Sequence, residues 1–444
     1  MRVVIIGAGE VGFNTARMLS GEGHRVIVVE QDETLVERTS QRLDALVIHG
    51  NGASPSVLQE AGVDKSDLLV AVTSTDEVNI VACLVAKAQG VPRTVARIHN
   101  PDYEDGQEKF SHNLLGMDFV IRTEQMAAKE ISEVLVVPGA VNVETFAGGT
   151  IEVVEVVLKE DSPAVGKAVR DVELPGQSLI VGVVRRGEAL VPRGDTVLEA
   201  RDHIFIICER RGVKQAVATV VTGTSPVRDV MILGGGRIGL LLALSLEDMG
   251  IAVKVIERDP YRARLVAAQL KKGLVLNDEG VSREFLLQEG VDRMDAFIAV
   301  TADDRTNLLA AMNARHLGAN LTIAGISRAE FSPLSEALGV DVTISPRLLA
   351  AGAVLRFVRK GEIAAVTLLE SGAQMIDLYV PESCQVANRP LADVHFPEGA
   401  IVGAILREGE FVIPRGKDVL KPGDEVVVFT VESAVDEVER LFAT

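Results

Sequence analysis

Six residues near the start of the chain, Gly7-Ala8-Gly9-Glu10-Val11-Gly12, have the types and spacing to cradle a pyrophosphate. In a Gly-x-Gly-x-x-Gly loop the first glycine makes a tight turn, the second lets backbone approach the phosphates, and the third lets helix and strand pack closely. Glu30 ends a second apolar run, where a carboxylate can accept hydrogen bonds from both ribose hydroxyls. The same set returns as Gly234-Gly235-Gly236-Arg237-Ile238-Gly239 with Glu257. The chemistry these residues offer is dinucleotide binding at a helix N-terminus, twice in one chain. Arg258, directly after Glu257, either tolerates a 2′-phosphate or faces solvent, so NAD and NADP both stay open at the second copy.

Thr73-Ser74 and Thr301 end the fourth apolar run of each copy, at the carboxyl edge where open α/β sheets take ligands, although helix N-capping accounts for them equally well. Arg97, near the end of the fifth run, either reaches phosphates or stands exposed without a ligand; its counterpart is Gly325. Glu10 and Arg237 occupy the same place in the two loops, so the second copy presents a cation where the first presents an anion. ATP is therefore expected to gain relatively more at the second copy, with Arg97 partly compensating in the first.

No catalytic or metal-ligating set accompanies these residues. The chain has no HExxH and no GxSxG, and Gly166-Lys167-Ala168 lacks the hydroxyl and the upstream glycine of a Walker A loop. A dehydrogenase needs an acid or base beside the nicotinamide. The segments outside the two glycine-loop copies are short and poor in such groups.

Strands and helices must position the loops, and the sequence repeats them. Val3 to Gly12 recurs at Val230 to Gly239, and Val72-Thr-Ser-Thr-Asp-Glu-Val-Asn79 at Val300-Thr-Ala-Asp-Asp-Arg-Thr-Asn307, with one insertion between these two pairs. A second segment type also repeats: Arg185 to Gly194 returns at Arg407 to Gly416. The order is A-B-A-B, a duplication of domains and not a solenoid. In A, apolar runs alternate with amphipathic helix-length stretches, which predicts βαβ units and a parallel sheet. In B, β-branched runs separated by Pro and Gly predict a small β-rich domain. The expected fold is α/β: two Rossmann-like, doubly wound parallel-sheet domains, 1–138 and 227–360, each followed by a small β-rich α+β domain, 139–222 and 361–444. Junctions are expected near Pro138-Gly139, Thr222 to Pro226 and Lys360-Gly361.

The 444 residues carry a formal net charge of -18, which opposes binding to nucleic-acid phosphates or anionic lipid. Cys83, Cys208 and Cys384 are isolated thiols that fit a reducing cytosol. The N-terminus lacks the features of a signal peptide, and no run reaches the ~20 apolar residues of a membrane span. A cytoplasmic protein, peripheral to the membrane at most and not anchored by lipid, is expected.

The whole chain resembles the TrkA family, the peripheral subunit of the Trk potassium-uptake system, built from two RCK units in tandem, each a KTN dinucleotide domain plus a TrkA-C domain. The resemblance rests on Gly7 to Gly12, Val70-Ala-Val-Thr-Ser-Thr-Asp-Glu-Val-Asn-Ile-Val-Ala-Cys83, Ala96-Arg-Ile98 with Pro101-Asp-Tyr103, Gly234 to Gly239 and Ile344-Ser-Pro346. It implies NAD(H) as ligand, with ATP or ADP in addition. It also implies a homo-oligomer, a dimer or dimer of dimers, forming a gating ring beneath a membrane-embedded K⁺ transporter subunit. Carried over position by position, the contacts are Gly7 to Gly12, Glu30, Asn51, Thr73, Ser74 and Arg97 in the first copy. In the second they are Gly234 to Gly239, Glu257, Asp278 and Thr301. The family's second unit typically reads Gly-Asp-Ala after its third strand; here the row is Asn277-Asp278-Glu279, and the change bears on affinity and ligand choice there. A soluble NAD-dependent oxidoreductase and a regulator of another ion channel or efflux system are the alternatives.

Overall fold

The computed structural model describes all residues except 104–111, 224, 329–330, 360–362, 369–372 and 444. The expected junction at Lys360-Gly361 lies outside the described residues, as does Thr224 within the junction at 222–226.

Val3, Val4, Ile5 and Ile6 are all at most 1% exposed, and a strand buried on both faces needs helices on both. That strand, β1 (Arg2–Ile6), lies in a six-stranded parallel sheet with β2 (Arg25–Glu30), β3 (Leu46–His49), β4 (Leu68–Ala71), β5 (Arg93–Arg97) and β6 (Phe119–Ile121). The spatial order is β3-β2-β1-β4-β5-β6. Helices α1 (Glu10–Gly21), α2 (Glu33–Arg42), α3 (Pro55–Glu60) and α4 (Asp76–Ala88) connect the strands, and α5 (Thr123–Val136) follows β6. The winding reverses between β1 and β4, which opens a crevice at the carboxyl ends of the strands.

A smaller antiparallel sheet follows, β7 (Asn142–Phe146), β8 (Ile151–Val157), β9 (Ser178–Arg185), β10 (Glu188–Leu190) and β11 (His203–Glu209), in the order β10-β9-β11-β8-β7 and backed by α6 (Val213–Val220). The pattern then repeats. Strands β12 (Asp229–Leu233), β13 (Ala252–Ile256), β14 (Leu274–Leu276), β15 (Ala296–Ala299), β16 (Leu321–Gly325) and β17 (Val342–Ile344) form the second parallel sheet, ordered β14-β13-β12-β15-β16-β17. Its helices are α7 (Arg237–Asp248), α8 (Pro260–Gln269), α9 (Arg283–Gln288), α10 (Asp304–Leu317), α11 (Ser332–Ala337) and α12 (Pro346–Arg359). The last sheet, β18 (Ile363–Leu368), β19 (Gln374–Tyr379), β20 (Ala400–Arg407), β21 (Glu410–Val412) and β22 (Glu425–Thr430), is ordered β18-β19-β22-β20-β21 and backed by α13 (Val435–Phe442). The fold is the expected one, two Rossmann-like parallel-sheet domains each followed by a small β-rich α+β domain.

Packing does not follow chain order. Helix α5 leaves the first sheet and buries Ala127, Ala128, Ile131, Val134 and Leu135 with Val230, Ile232, Leu242 and Leu246 of the second. Helix α12 makes the reciprocal crossing and buries Ala350, Val354, Leu355 and Val358 with Val3, Ile5, Val28 and Val70 of the first. Fully burying one side chain such as Ile131 or Leu355 contributes roughly 1.5–3 kcal/mol, so several such groups hold each helix on its adopted partner. The Phe119 and Phe357 rings stack at 5.2 Å and 11°. Arg93 donates to the Val358 carbonyl at 3.1 Å, satisfying an orphan acceptor in the last turn of α12.

The two small sheets meet face to face. Phe146, Val153, Phe205 and Ile207 share one core with Met375, Ala404, Val427 and Phe429. A Cβ at Gly182 would lie 2.4 Å from the Phe429 ring, and one at Gly403 would lie 2.8 Å from Val181, so glycine at these two positions permits the approach. Cys83, Cys208 and Cys384 are all buried. No helix among the described residues is long and apolar enough to cross a membrane.

Candidate functional site

Each glycine of the first loop does a different job. Gly7 sits at φ +99°, a left-handed conformation that L side chains rarely adopt, and its N–H donates to Val29 at 2.8 Å. A Cβ on Gly12 would lie 1.8 Å from the Gly7 carbonyl oxygen, so only glycine lets α1 close onto β1. A Cβ on Gly9 would meet nothing within 4 Å. Gly9 caps α1 without a side-chain hydrogen bond, which leaves the first-turn N–H groups facing open space over the crevice, as an anion requires. The second loop repeats this: Gly234 has φ +109°, a Cβ on Gly239 would meet the Gly234 oxygen at 1.9 Å, and Gly236 is open. Val11 is 2% exposed and packs in the core, so its backbone N–H alone is available to a ligand.

The two carboxylates differ. Glu30 Oε2 accepts from Ala8 N at 2.5 Å, and Oε1 accepts from Gln31 N and Asp32 N at 2.7 and 2.9 Å, in a partly exposed position. Glu257 accepts from Gly235 N at 2.9 Å and Asp259 N at 2.8 Å but is only 5% exposed. A methyl at Gly235 would lie 3.0 Å from the Glu257 Cβ. Glycine stands there where the first copy has Ala8, although Glu30 reaches its own loop at a shorter distance. Arg262 stands 3.9 Å away on the solvent side. Asn51 and Asp278 each accept the N–H two residues on, from Ala53 N and Gly280 N, both at 2.8 Å. A Cβ on Gly52 would strike Ile6, and one on Gly280 would strike Leu233 and Ile256. Gly280 thus takes the place of Gly52, the exposed Glu279 stands at the position of Asn51, and the strand registers put the extra residue upstream, between α8 and β14.

Thr73 and Thr301 are held by residues whose role the sequence reading did not single out. Asn79 Oδ1 accepts from Thr73 N and Oγ1 at 2.9 and 2.8 Å, and its amide donates to Thr73 O at 3.1 Å and Arg97 O at 2.8 Å. Asn307 repeats all four bonds, to Thr301 and to Gly325. Asp76 and Asp304, three residues before each Asn, accept the backbone N–H groups of His99 and Asn100, and of Ser327 and Arg328. These four side chains fix the ends of neighbouring strands around each crevice. Ser74 is exposed beside Thr73.

Electrostatics around the first loop depart from the simple anion expected of Glu10. Arg38 of α2 reaches Glu10 at 3.4 Å and the Ala8 carbonyl at 3.3 Å, with its guanidinium 5.4 Å from the Phe13 ring centre. The pair is close to neutral, so the contrast with Arg237 is a cation against a balanced pair and not against an anion. Arg97 has its Nε buried without a protein partner. Burial lowers its pKa, Glu124 opposes that, and Arg347 of the exchanged helix α12 lowers it further. Two cations, one from each half of the chain, thus lie at the end of β5 where phosphate charge would be met.

Two glycine cradles, each with a carboxylate bonded to its loop and set at the switch point of its own parallel sheet, define a tandem protein of the dinucleotide-binding fold. The TrkA-N domain pattern matches residues 3–123 and 230–346, and the TrkA-C domain pattern matches 153–220 and 375–443. The chain belongs to the TrkA family. It is 36% identical over 452 residues to the Trk system potassium uptake protein TrkA homolog 2 of Methanosarcina mazei, with all of both chains covered. A TrkA homolog of Archaeoglobus fulgidus is 35% identical over 442 residues, again along both full lengths. TrkA of Vibrio alginolyticus is 33% identical, covering all of this chain and 98% of its own. Among solved structures the GsuK channel has a TM-score of 0.65 at 19% identity, covering 99% of this chain and 78% of its own. GsuK bound to NAD has a TM-score of 0.64 at 18% identity. Likeness at such identity speaks to the fold.

Proposed function

We propose that the chain is the cytoplasmic, nucleotide-sensing regulatory subunit of a membrane-embedded potassium-uptake transporter of the Trk type, and that it senses without turning over a substrate. The observation that carries this reading is the reciprocal exchange of α5 and α12 between the two units that hold the clefts. A ligand lying across one cleft bears on a helix belonging to the other unit, and it shifts the arrangement only if it binds one arrangement more tightly. The relatives' names as potassium uptake proteins support the transporter as partner.

In this reading NAD(H) occupies the first cleft, held by the Gly7 to Gly12 loop, Glu30, Asn51, Thr73 and Ser74, with Arg97 and Arg347 toward the phosphates. The second cleft, with Arg237 at the loop and Glu257 buried, suits an adenine nucleotide such as ATP or ADP. Since Arg38 balances Glu10, Glu10→Ala leaves that cation uncompensated beside the loop and is expected to raise ATP affinity at the first cleft modestly. Arg237→Ala is expected to weaken it several-fold at the second cleft, the scale of a contact worth about 1 kcal/mol at a helix N-terminus. Calorimetric titration of both variants checks this, and equal, unchanged affinities contradict it.

Self-association has a candidate surface. Val81 and Leu84 of α4 and Leu309 of α10 are 38%, 40% and 55% exposed, and Val81 and Leu309 occupy equivalent positions in the two copies. A second copy of the chain covering both faces gives the dimer or dimer of dimers that closes a ring. Attachment is to the transporter's cytoplasmic surface, not to lipid, given the net charge of -18. The test is retention of purified protein on vesicles that carry the transporter. Equal retention on protein-free vesicles, or NADH oxidation with a small metabolite, overturns the reading.

A further inference from the structure

The face where the two small sheets meet carries four titratable side chains in two equivalent pairs. On β8, Glu155 shares the inward face with Ile151 and Val153, and on β11, His203 shares it with Phe205 and Ile207. Their carboxylate and imidazole approach to 2.6 Å, an arrangement able to form an ion pair. In the second sheet the same diagonal holds Asp377 of β19 and Glu425 of β22. Asp377 lies opposite Val427 as Glu155 lies opposite Phe205. Two carboxyls stand where the first copy has a carboxyl and a base.

Asp377 is 2% exposed. Its Oδ2 faces the backbone N–H of Ala147 in the first small domain at 3.5 Å, across the sheet-to-sheet contact, and its Oδ1 has no donor. Ala147 holds φ +51°, an uncommon conformation for a non-glycine residue, in the turn that presents this N–H. Two ionised carboxylates cannot donate to one another, and a buried charge without a partner is costly. A proton on one of them satisfies both, as a donor to the other. We infer that Asp377 and Glu425 hold one shared proton at neutral pH, and that losing it loosens the contact between the two small domains.

Among the described residues, the groups around the pair offer no compensating cation. Strand β18 has no titratable residue, and neither does the turn Phe146 to Thr150. On β19 the nearest is Tyr379, whose hydroxyl is itself pushed up, first by Glu425. Asp424 beside Glu425 is taken by Arg407 at 2.6 Å, and Arg210, on the far side of the turn near Gly149, is 3.3 Å from Glu152. Burial, followed by the Glu425 charge, pushes the Asp377 carboxyl up to about 8. The folded value is raised, so the contact is fully stable below the ordinary carboxylate range and loses stability as pH rises toward about 8.

The experiment is hydrogen exchange on the full chain, reading the amides of β19 and of the 146–150 turn from pH 6 to 9 after correction for intrinsic exchange. Opening of the contact is expected to increase by up to about tenfold per pH unit toward pH 8 and to level off above it. Asp377→Asn, whose amide can donate to Glu425 and still accept from Ala147, is expected to flatten that dependence. Glu425→His, which copies the carboxylate and imidazole of the first domain, is expected to do so as well while keeping the contact closed at neutral pH. A parent whose corrected protection ignores pH, or variants that keep the parental slope, overturns the inference.

Discussion

Glu30→Ala is expected to weaken NADH binding at the first cleft by about tenfold to a hundredfold. The carboxylate is partly exposed at the end of β2 and is already oriented by the N–H groups of Ala8, Gln31 and Asp32. Three of its four lone-pair sites are taken by these N–H groups, which leaves one on Oε2 for a ribose hydroxyl, and a hydrogen bond to a charged group contributes about 1.5–3 kcal/mol. Losing it therefore removes about 1.5–3 kcal/mol, before counting the loosened loop. Glu257→Ala should behave differently: its carboxylate is 5% exposed and works mainly for Gly235 and Asp259, so its loss falls more on the loop than on the ligand. Calorimetry with NADH separates the two variants, and an unchanged affinity in Glu30→Ala removes that residue from the site.

Asn79→Ala should destabilise the first parallel sheet by about 3 kcal/mol. Asn79 is fully buried, and its four hydrogen bonds join the end of β4 to the end of β5. Alanine leaves the Thr73 N–H and the carbonyls of Thr73 and Arg97 without these partners, and each buried unsatisfied group costs about 1–3 kcal/mol. Hydrogen exchange of the β4 and β5 amides should show the loss. Protection of β15 and β16, held by Asn307, should persist. Equal loss in both sheets, or in neither, would count against Asn79 as the local clasp.

The sequence made the glycine loops and the paired glutamates legible because covalent geometry dictates them: a positive φ at Gly7 and the approach of Gly12 to a carbonyl depend on neighbours within a few residues. Duplication made the sheets legible, since each pattern occurs twice with nearly the same spacing. What escaped depends on contacts distant in sequence. Asn79 and Asn307 stand within the quoted repeat, but their role needs the carbonyl of another strand; two polar residues buried at matching places were the available signal. Arg38 belongs to an exposed-looking helix, and only the fold brings it to Glu10. The amphipathic patterns of α5 and α12 say that each helix buries a face, not against which sheet, so the exchange and the position of Arg347 could not be read. The insertion was visible as a change of offset, yet only the strand registers place it between α8 and β14, and only the clash a Cβ would make with Leu233 shows that Gly280 replaces Gly52.

Potassium flux through the reconstituted transporter is the most direct measurement of the regulatory role. Vesicles containing the transporter, with and without this protein on the cytoplasmic side, are loaded with K⁺ and followed as NADH, NAD⁺, ATP or ADP is varied. The expected result is a flux that depends on the protein and changes with nucleotide, and a nucleotide response that Glu30→Ala blunts without releasing the protein from the vesicles. A flux indifferent to both protein and nucleotide contradicts the proposed role.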